Sequence, residues 1–285
     1  MYREELAAHI AIRLAAELDR LGDDYSRSSA GIGHFVVDDV LPTEIAAAIA
    51  DAFPPYTKLR QKRNIRERKA VSAQMNLHDG LIEEALFAFQ DRRVVTQISD
   101  ICDLQCAPDP RLYAGGISAM RAGDFLNPHL DNSHDAERMQ WRVLNLLYYC
   151  TPGWGTNEGG SLELWPEGLK GRPVAIPARH NRLIVMATHG GSWHSVAPVL
   201  KGERRCISNY YFASQPPRAG DRARVTKFRA RPDRPGEDLL LRADGMARSL
   251  VRALVPRTLG ISCHRYHLPQ LGWRGAGRGD HTEPS

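Results

Sequence analysis

Five short apolar runs constrain this chain more than anything else in it. Between Leu112 and Phe212 the sequence presents "LYAGGISAMR", "RVLNLLYYC", "GGSLELWP", "RLIVMAT" and "RCISNYYF". Gly, Pro and Asn turns separate them at intervals that suit an all-β barrel or sandwich. The flanks read differently. Leu6, Ile10, Leu14, Leu18 and Leu21 recur at helical spacing, which predicts one amphipathic helix over 3–21. "GHFVVDDVLP" reads as a strand leading into a helix over 43–53, with Pro42 near its first turn, and 80–104 reads as helical. "GEDLLLRADGMARSLVRALVP" predicts a further helix, and the Gly/Arg-rich last ~15 residues are expected to be poorly ordered. The chain is therefore mainly β with flanking helices. It divides into a helical N-terminal layer (1–107) packed on a β core (108–215) and a basic helical extension (216–285).

Charge is unevenly placed. From Pro217 to Ser285 there are 14 Lys/Arg against 7 Asp/Glu, although the whole chain carries only +5. A basic tail can bind nucleic acid, but no nucleic-acid motif accompanies it, and a solvated extension is the commoner meaning. A second basic stretch, "TKLRQKRNIRERK", holds seven cations and one acid. It reads as a mobile surface loop, with a lid or anion-binding segment beside a site as the sharper alternative. No window is apolar enough over about 18 residues to span a membrane. The start, "MYREELAAHI", lacks the basic-then-apolar order of a signal peptide, so a cytoplasmic location is expected. Five scattered cysteines do not resemble a disulfide framework; Cys102 and Cys106 could share a helix face, but with no second pair to complete a zinc site they are expected to be buried thiols.

The stretch "NPHLDNSHD" crowds two histidines and two aspartates into nine residues. His129 and Asp131 stand at i and i+2, so on a strand both face one side and could grip one ion. His134 and Asp135 read as turn residues at the mouth of such a site. A third ligand must come from a later strand, with His180, His189 and His194 as candidates. Two histidines and one carboxylate would form the facial triad suited to non-haem Fe(II), with positions left open.

The ordered motifs from about Tyr113 to Phe212 resemble the Fe(II)/2-oxoglutarate-dependent oxygenases, specifically the prolyl-4-hydroxylase-like branch. "HLDN" resembles its HxD motif, "GGSLELWPEG" its GG-x-L hairpin, and "RLIVMATHGGSWHSVAPV" the approach to its distal histidine. "GERRCISNYYF" resembles the strand carrying the basic 2-oxoglutarate anchor. The resemblance implies a double-stranded β-helix (jelly-roll) core. It also implies a metal site of His129, Asp131 and His194. Cosubstrate would be held by Arg204, with Tyr149 and Ser208 as hydrogen-bond donors and Arg205 as the alternative anchor on the opposite face. Some relatives carry a tyrosine ten residues before the first ligand, where this chain has Ala119.

The implied reaction is hydroxylation of an unactivated C–H bond, coupled to decarboxylation of 2-oxoglutarate to succinate and CO2. Fe(II), 2-oxoglutarate and O2 are its cofactors, with ascorbate as an auxiliary reductant. Halogenases of this type replace the carboxylate ligand with a small residue, so Asp131 favours hydroxylation. The expected substrate is a small metabolite or sugar-containing intermediate. Peptidyl-prolyl 4-hydroxylation is the alternative, and a non-catalytic jelly-roll binding module is the reading from another class.

Overall fold

The computed structural model describes residues 2–254. Helices α1 (Arg3–Ala15) and α2 (Leu18–Ser28) are followed by β1 (His34–Val37), α3 (Thr43–Ala52), β2 (Arg60–Arg63) and β3 (Glu67–Ser72). Next come α4 (Gly80–Ala88), α5 (Arg92–Cys102), β4 (Ala107–Pro108), β5 (Gly116–Arg121), β6 (Phe125–Leu130) and β7 (Trp141–Tyr149). The chain continues through β8 (Leu162–Leu164), β9 (Val174–Ile176), β10 (Arg182–Ala187), β11 (His194–Val196), β12 (Glu203–Ala213), β13 (Lys227–Phe228) and α6 (Pro235–Leu254).

These strands form one antiparallel sheet whose main path runs β1-β10-β7-β12-β5-β3-β6-β11-β8-β9. It curls at β3, so that β5, β12, β7 and β10 face β6, β11, β8 and β9 across an interior. This is a jelly-roll core. Strand alternation decides which side chain goes where. On β10, Leu183 and Val185 join the outer core under the helices, while Ile184 and Met186 join the inner cluster with Leu162, Leu164 and Val196. On β12, Ile207 and Tyr211 lie in the outer core and Cys206 in the inner.

The helical layer covers the outer face of the larger half-sheet. Leu6, Ile10 and Leu14 of α1 are fully buried there, with Ile49 of α3, Leu86 of α4 and Ile98 of α5. Each such burial stabilises by roughly 1.5–3 kcal/mol before chain entropy is counted. The single helix expected over 3–21 is broken. Glu17 leaves helical geometry (φ −126°, ψ 21°) while pairing with both Arg13 and Arg20. The change of direction puts Leu21 in the core and leaves Leu18 exposed. The 80–104 region is likewise two helices, because Asp91 accepts from the Arg93 backbone N–H and starts α5 afresh. Cys106 lies beyond α5, so it does not share a helix face with Cys102; the two remain free thiols.

Two further expectations are corrected. The basic stretch is no loose loop: it forms the β2–β3 hairpin, with Asn64 Oδ1 accepting from the backbone of Arg66 and Glu67 in its turn. Strand β3 then pairs with β5 on one side (Ala70↔Ala119) and with β6 on the other (Glu67↔Leu126). Gly116 makes the first seam possible. Its φ is +116°, and a Cβ there would sit 2.2 Å from the Ser72 carbonyl oxygen. The C-terminal extension is not purely helical either, since β13 adds to β6 with Phe228 opposite His129. The expected disorder of the last residues concerns positions outside those described.

Candidate metal centre and the cavity around it

Strand register brings the first two imidazoles together. His129 on β6 lies directly opposite His194 on β11, and their ring centroids are 4.1 Å apart. Asp131 follows one residue beyond the end of β6. The ligand atoms of His129, Asp131 and His194 all lie within 4.8 Å of one another, and all three residues are buried. His129 Nδ1 is 3.0 Å from the Asn127 carbonyl, and His194 Nδ1 is 2.9 Å from the Ser192 carbonyl. A carbonyl only accepts, so both rings carry their proton on Nδ1 and turn an Nε2 lone pair inward.

The donor set fits a cation. His129 Nε2 lies 3.6 Å from Asp131 Oδ1 and His194 Nε2 lies 3.7 Å from Oδ2, too far for hydrogen bonds. Asp131 Oδ2 is buried without a hydrogen-bond partner, which is costly in a finished protein interior. Burial and the neighbouring His194 push the His129 imidazole down to about 3, so it stays neutral, as a ligand must. Burial raises the Asp131 carboxyl, but His194, Arg142 and His129 together hold it below its ordinary value. His180 and His189 are elsewhere: His180 Nε2 meets the Ala46 carbonyl, and His189 Nδ1 accepts from the Gly191 backbone within its own turn. Asp135 is a turn residue, accepting from Met139 and Gln140, while His134 is buried against Ser133.

Across a cavity of about 630 Å³ from the triad stands Arg204, 3% exposed. Its Nη2 donates to the Tyr149 hydroxyl at 3.1 Å, and its guanidinium lies 4.7 Å over the Tyr149 ring. Arg204 has no carboxylate partner among the described residues, and its Nε is buried without a hydrogen bond. Both conditions invite an anion. The second glycine of "GGSLEL" belongs to this spot. Gly160 has φ +68°, and a Cβ on it would meet Arg204 Cδ at 2.9 Å. Arg205 points the other way, to the Ala50 carbonyl and Glu203. Ser208 lines the Arg204 cavity, but its hydroxyl donates to the Gly116 carbonyl at 3.2 Å. Ala119 lies in the outer core under the helices; Met120 and Ser118 line the cavity on β5 instead.

Several residues at the site went unread in the sequence. Arg142, 1% exposed, stacks 3.8 Å from the Tyr210 ring centroid with Nη1 3.9 Å from Asp131. An arginine opening the mostly apolar run "RVLNLLYYC" was the available signal. Arg224 Nε donates to the Asp131 carbonyl, and the Phe228 ring stacks 5.2 Å from His129. Nothing in the pattern of the extension marks either one. Arg231 reaches Glu163, which in turn accepts from Ser195, the neighbour of His194.

The profile of the 2OG-Fe(II) oxygenase superfamily matches residues 115–213. No curated protein matches the chain by sequence. Solved structures similar to it include a prolyl 4-hydroxylase from Phytophthora capsici, with 17% identity over 87% of this chain and 83% of that one and a TM-score of 0.51. A Pseudomonas putida prolyl-4-hydroxylase shares 18% identity over 67% of this chain and 98% of that one, with a TM-score of 0.49. HygX from Streptomyces hygroscopicus, solved with nickel, 2-oxoglutarate and hygromycin B, shares 12% identity over 67% of this chain and 87% of that one, with a TM-score of 0.48. Likeness at these identities concerns the fold. Residues 115–213 thus match the 2OG-Fe(II) oxygenase superfamily profile, and the fold of the chain is similar to that of a prolyl 4-hydroxylase.

Proposed function

We propose that His129, Asp131 and His194 hold Fe(II), and that Arg204 binds the far carboxylate of 2-oxoglutarate. The reaction is hydroxylation of an unactivated C–H bond in a small metabolite or sugar-containing intermediate. One observation carries this: three inward ligand atoms share a cavity with a buried arginine that has no carboxylate of its own. Iron and 2-oxoglutarate with O2 supply the oxidising power, leaving succinate, CO2 and a hydroxylated product. Ascorbate belongs in the assay as the reductant.

The chain's own residues have clear tasks in this reading. The Asn127 and Ser192 carbonyls keep both histidines in the ligating tautomer. Arg142 stays beside Asp131 and favours its charged form. Tyr149 orients the Arg204 guanidinium, and burial keeps its phenol protonated, so its hydroxyl remains a donor for a carboxylate. Met120, Leu147, Leu162 and Val196 give an apolar wall for an aliphatic dicarboxylate chain and exclude water from it. Ser208 stands farther along the same face, its hydroxyl proton given to the Gly116 carbonyl, and completes the polar lining there. The cavity volume is of the order of small-molecule sites, which favours a small substrate over a peptide.

The test is anaerobic titration of metal-free protein with Fe(II) and 2-oxoglutarate, following the weak visible band of their chelate. A band needing both components, and abolished with iron binding in His129→Ala and Asp131→Ala, is the expected result. An iron-replete, active Asp131→Ala variant would overturn the assignment. A proteome-wide hydroxylation screen separates the substrates, because modified proline in proteins would favour the peptidyl reading.

A further inference from the structure

We infer that the substrate of the proposed oxygenase carries a phosphate monoester, which docks on Arg60, Lys62 and Lys69 in the β2–β3 wall of the cavity. This rests on the oxygenase reading and adds the substrate class to it.

The hairpin register places these cations together. Lys62 lies directly opposite Lys69, and Arg60, two residues earlier on β2, shares their face. All three line the cavity that holds the triad and Arg204. Like charges directly opposite on paired strands repel, and the Lys62–Lys69 pair is half-buried in the cavity wall, where water screens it less than on the hairpin's outer face. Arg63 and Arg68, the next cross-strand pair, take no part in the cavity lining, and Arg68 sits over Phe125.

The compensation inside the cavity is incomplete. Glu67 alone serves both lysines, at 3.6 Å from Lys62 Nζ and 3.0 Å from Lys69 Nζ. Arg60 has no ion pair among the described residues. Three cations against one carboxylate leave two positive charges unmatched, and a phosphate monoester near pH 7 carries nearly two negative ones. A monocarboxylate would leave one unmatched. At the turn of the same hairpin, Arg66 shares with Arg248 of α6 a single acid, Asp244, at 2.7 and 2.8 Å. That turn too is positive and suits the approach of an anion.

Position ties the cluster to the chemistry. Glu67 opposes Leu126 on β6, three residues before His129, so the hairpin that carries the cations adjoins the strand that carries the first ligand of the triad. An anion there would be separated from Arg204 on β12 by strand β5, and would present its carbon skeleton to the proposed metal.

The experiment uses full-length protein loaded anaerobically with Fe(II) and saturating 2-oxoglutarate, titrated calorimetrically with inorganic phosphate at constant ionic strength. Acetate is the control anion. Phosphate is expected to bind saturably and more tightly than acetate. Lys62→Gln/Lys69→Gln should weaken it about tenfold or more, and Glu67→Gln should tighten it. The chelate band, recorded on each variant, reports that fold and cosubstrate site survive. Phosphate binding no tighter than acetate, or unmoved by the lysine changes, overturns the proposal while the band keeps the oxygenase reading intact. A lysine variant that loses affinity for 2-oxoglutarate instead would make the cluster a cosubstrate funnel and overturn it too. No chelate band in the unmodified protein overturns both readings at once.

Discussion

Arg204 and Arg205 are neighbours in sequence with opposite fates, which strand alternation decides. Arg204 enters the interior and stacks on Tyr149; Arg205 leaves it for Glu203 and the Ala50 carbonyl. Losing a buried charged anchor costs about 3–5 kcal/mol of binding. Arg204→Ala is therefore expected to raise the 2-oxoglutarate requirement by roughly a hundredfold or more, against a few-fold change for Arg205→Ala. Steady-state succinate formation at varied 2-oxoglutarate measures both, and the reverse ranking would move the anchor to Arg205.

At the scale of elements, the β2–β3 hairpin is pinned by one carboxylate. Burial pushes Glu67 up, but Lys69 and Lys62 more than reverse this and hold it at about 2, against an ordinary 4.5. A folded-state value below the unfolded one means stabilisation that is present at neutral pH and lost as pH falls from about 4.5 towards 2. Glu67→Gln should thus cost about 1–3 kcal/mol near pH 7, and the gap to the unmodified protein should close in acid. Chemical denaturation at several pH values measures it; a gap independent of pH would remove the ion pairs from the account. The elements also mark where sequence was legible. Strands β5, β7, β10 and β12 stand out because each is a run of alternating or buried apolar residues. The His129–Asp131 spacing stands out because a strand makes i and i+2 equivalent. Strands β2 and β3 were hidden by charge, since seven cations read as a solvent face until the register gathers three of them on the face that lines the cavity. The break at Glu17 was hidden because Leu18 continues the heptad-like spacing although its side chain is exposed. Phe228 was hidden because a two-residue strand has no periodicity to read.

Across the whole molecule, one hydrophobic cluster joins α1, α3, α4 and α5 to β7, β10 and β12. A continuous core of this kind couples helical layer and barrel in unfolding. Leu14→Ala, in the outer core rather than the cavity, should destabilise by about 2–5 kcal/mol and lower the stability of both parts together. Far-ultraviolet circular dichroism follows the helices, while tryptophan fluorescence follows the barrel, where four of the five tryptophans lie between 141 and 193. Coincident transitions are expected; a helical transition preceding the fluorescence change would mean two independently folding parts.

Strand β3 comes from outside the stretch that matches the superfamily profile, yet it lies between β5 and β6. The enzymatic fold is therefore not a detachable cassette. Cutting the gene to residues 115–213 would leave β5 and β6 with open backbone edges facing each other across a gap, free to recruit strands from other copies. It would also discard Phe228 and Arg224, which pack against His129 and Asp131. Grafting this catalytic unit into another protein would have to carry the hairpin before it and the short strand after it as part of the same inheritance.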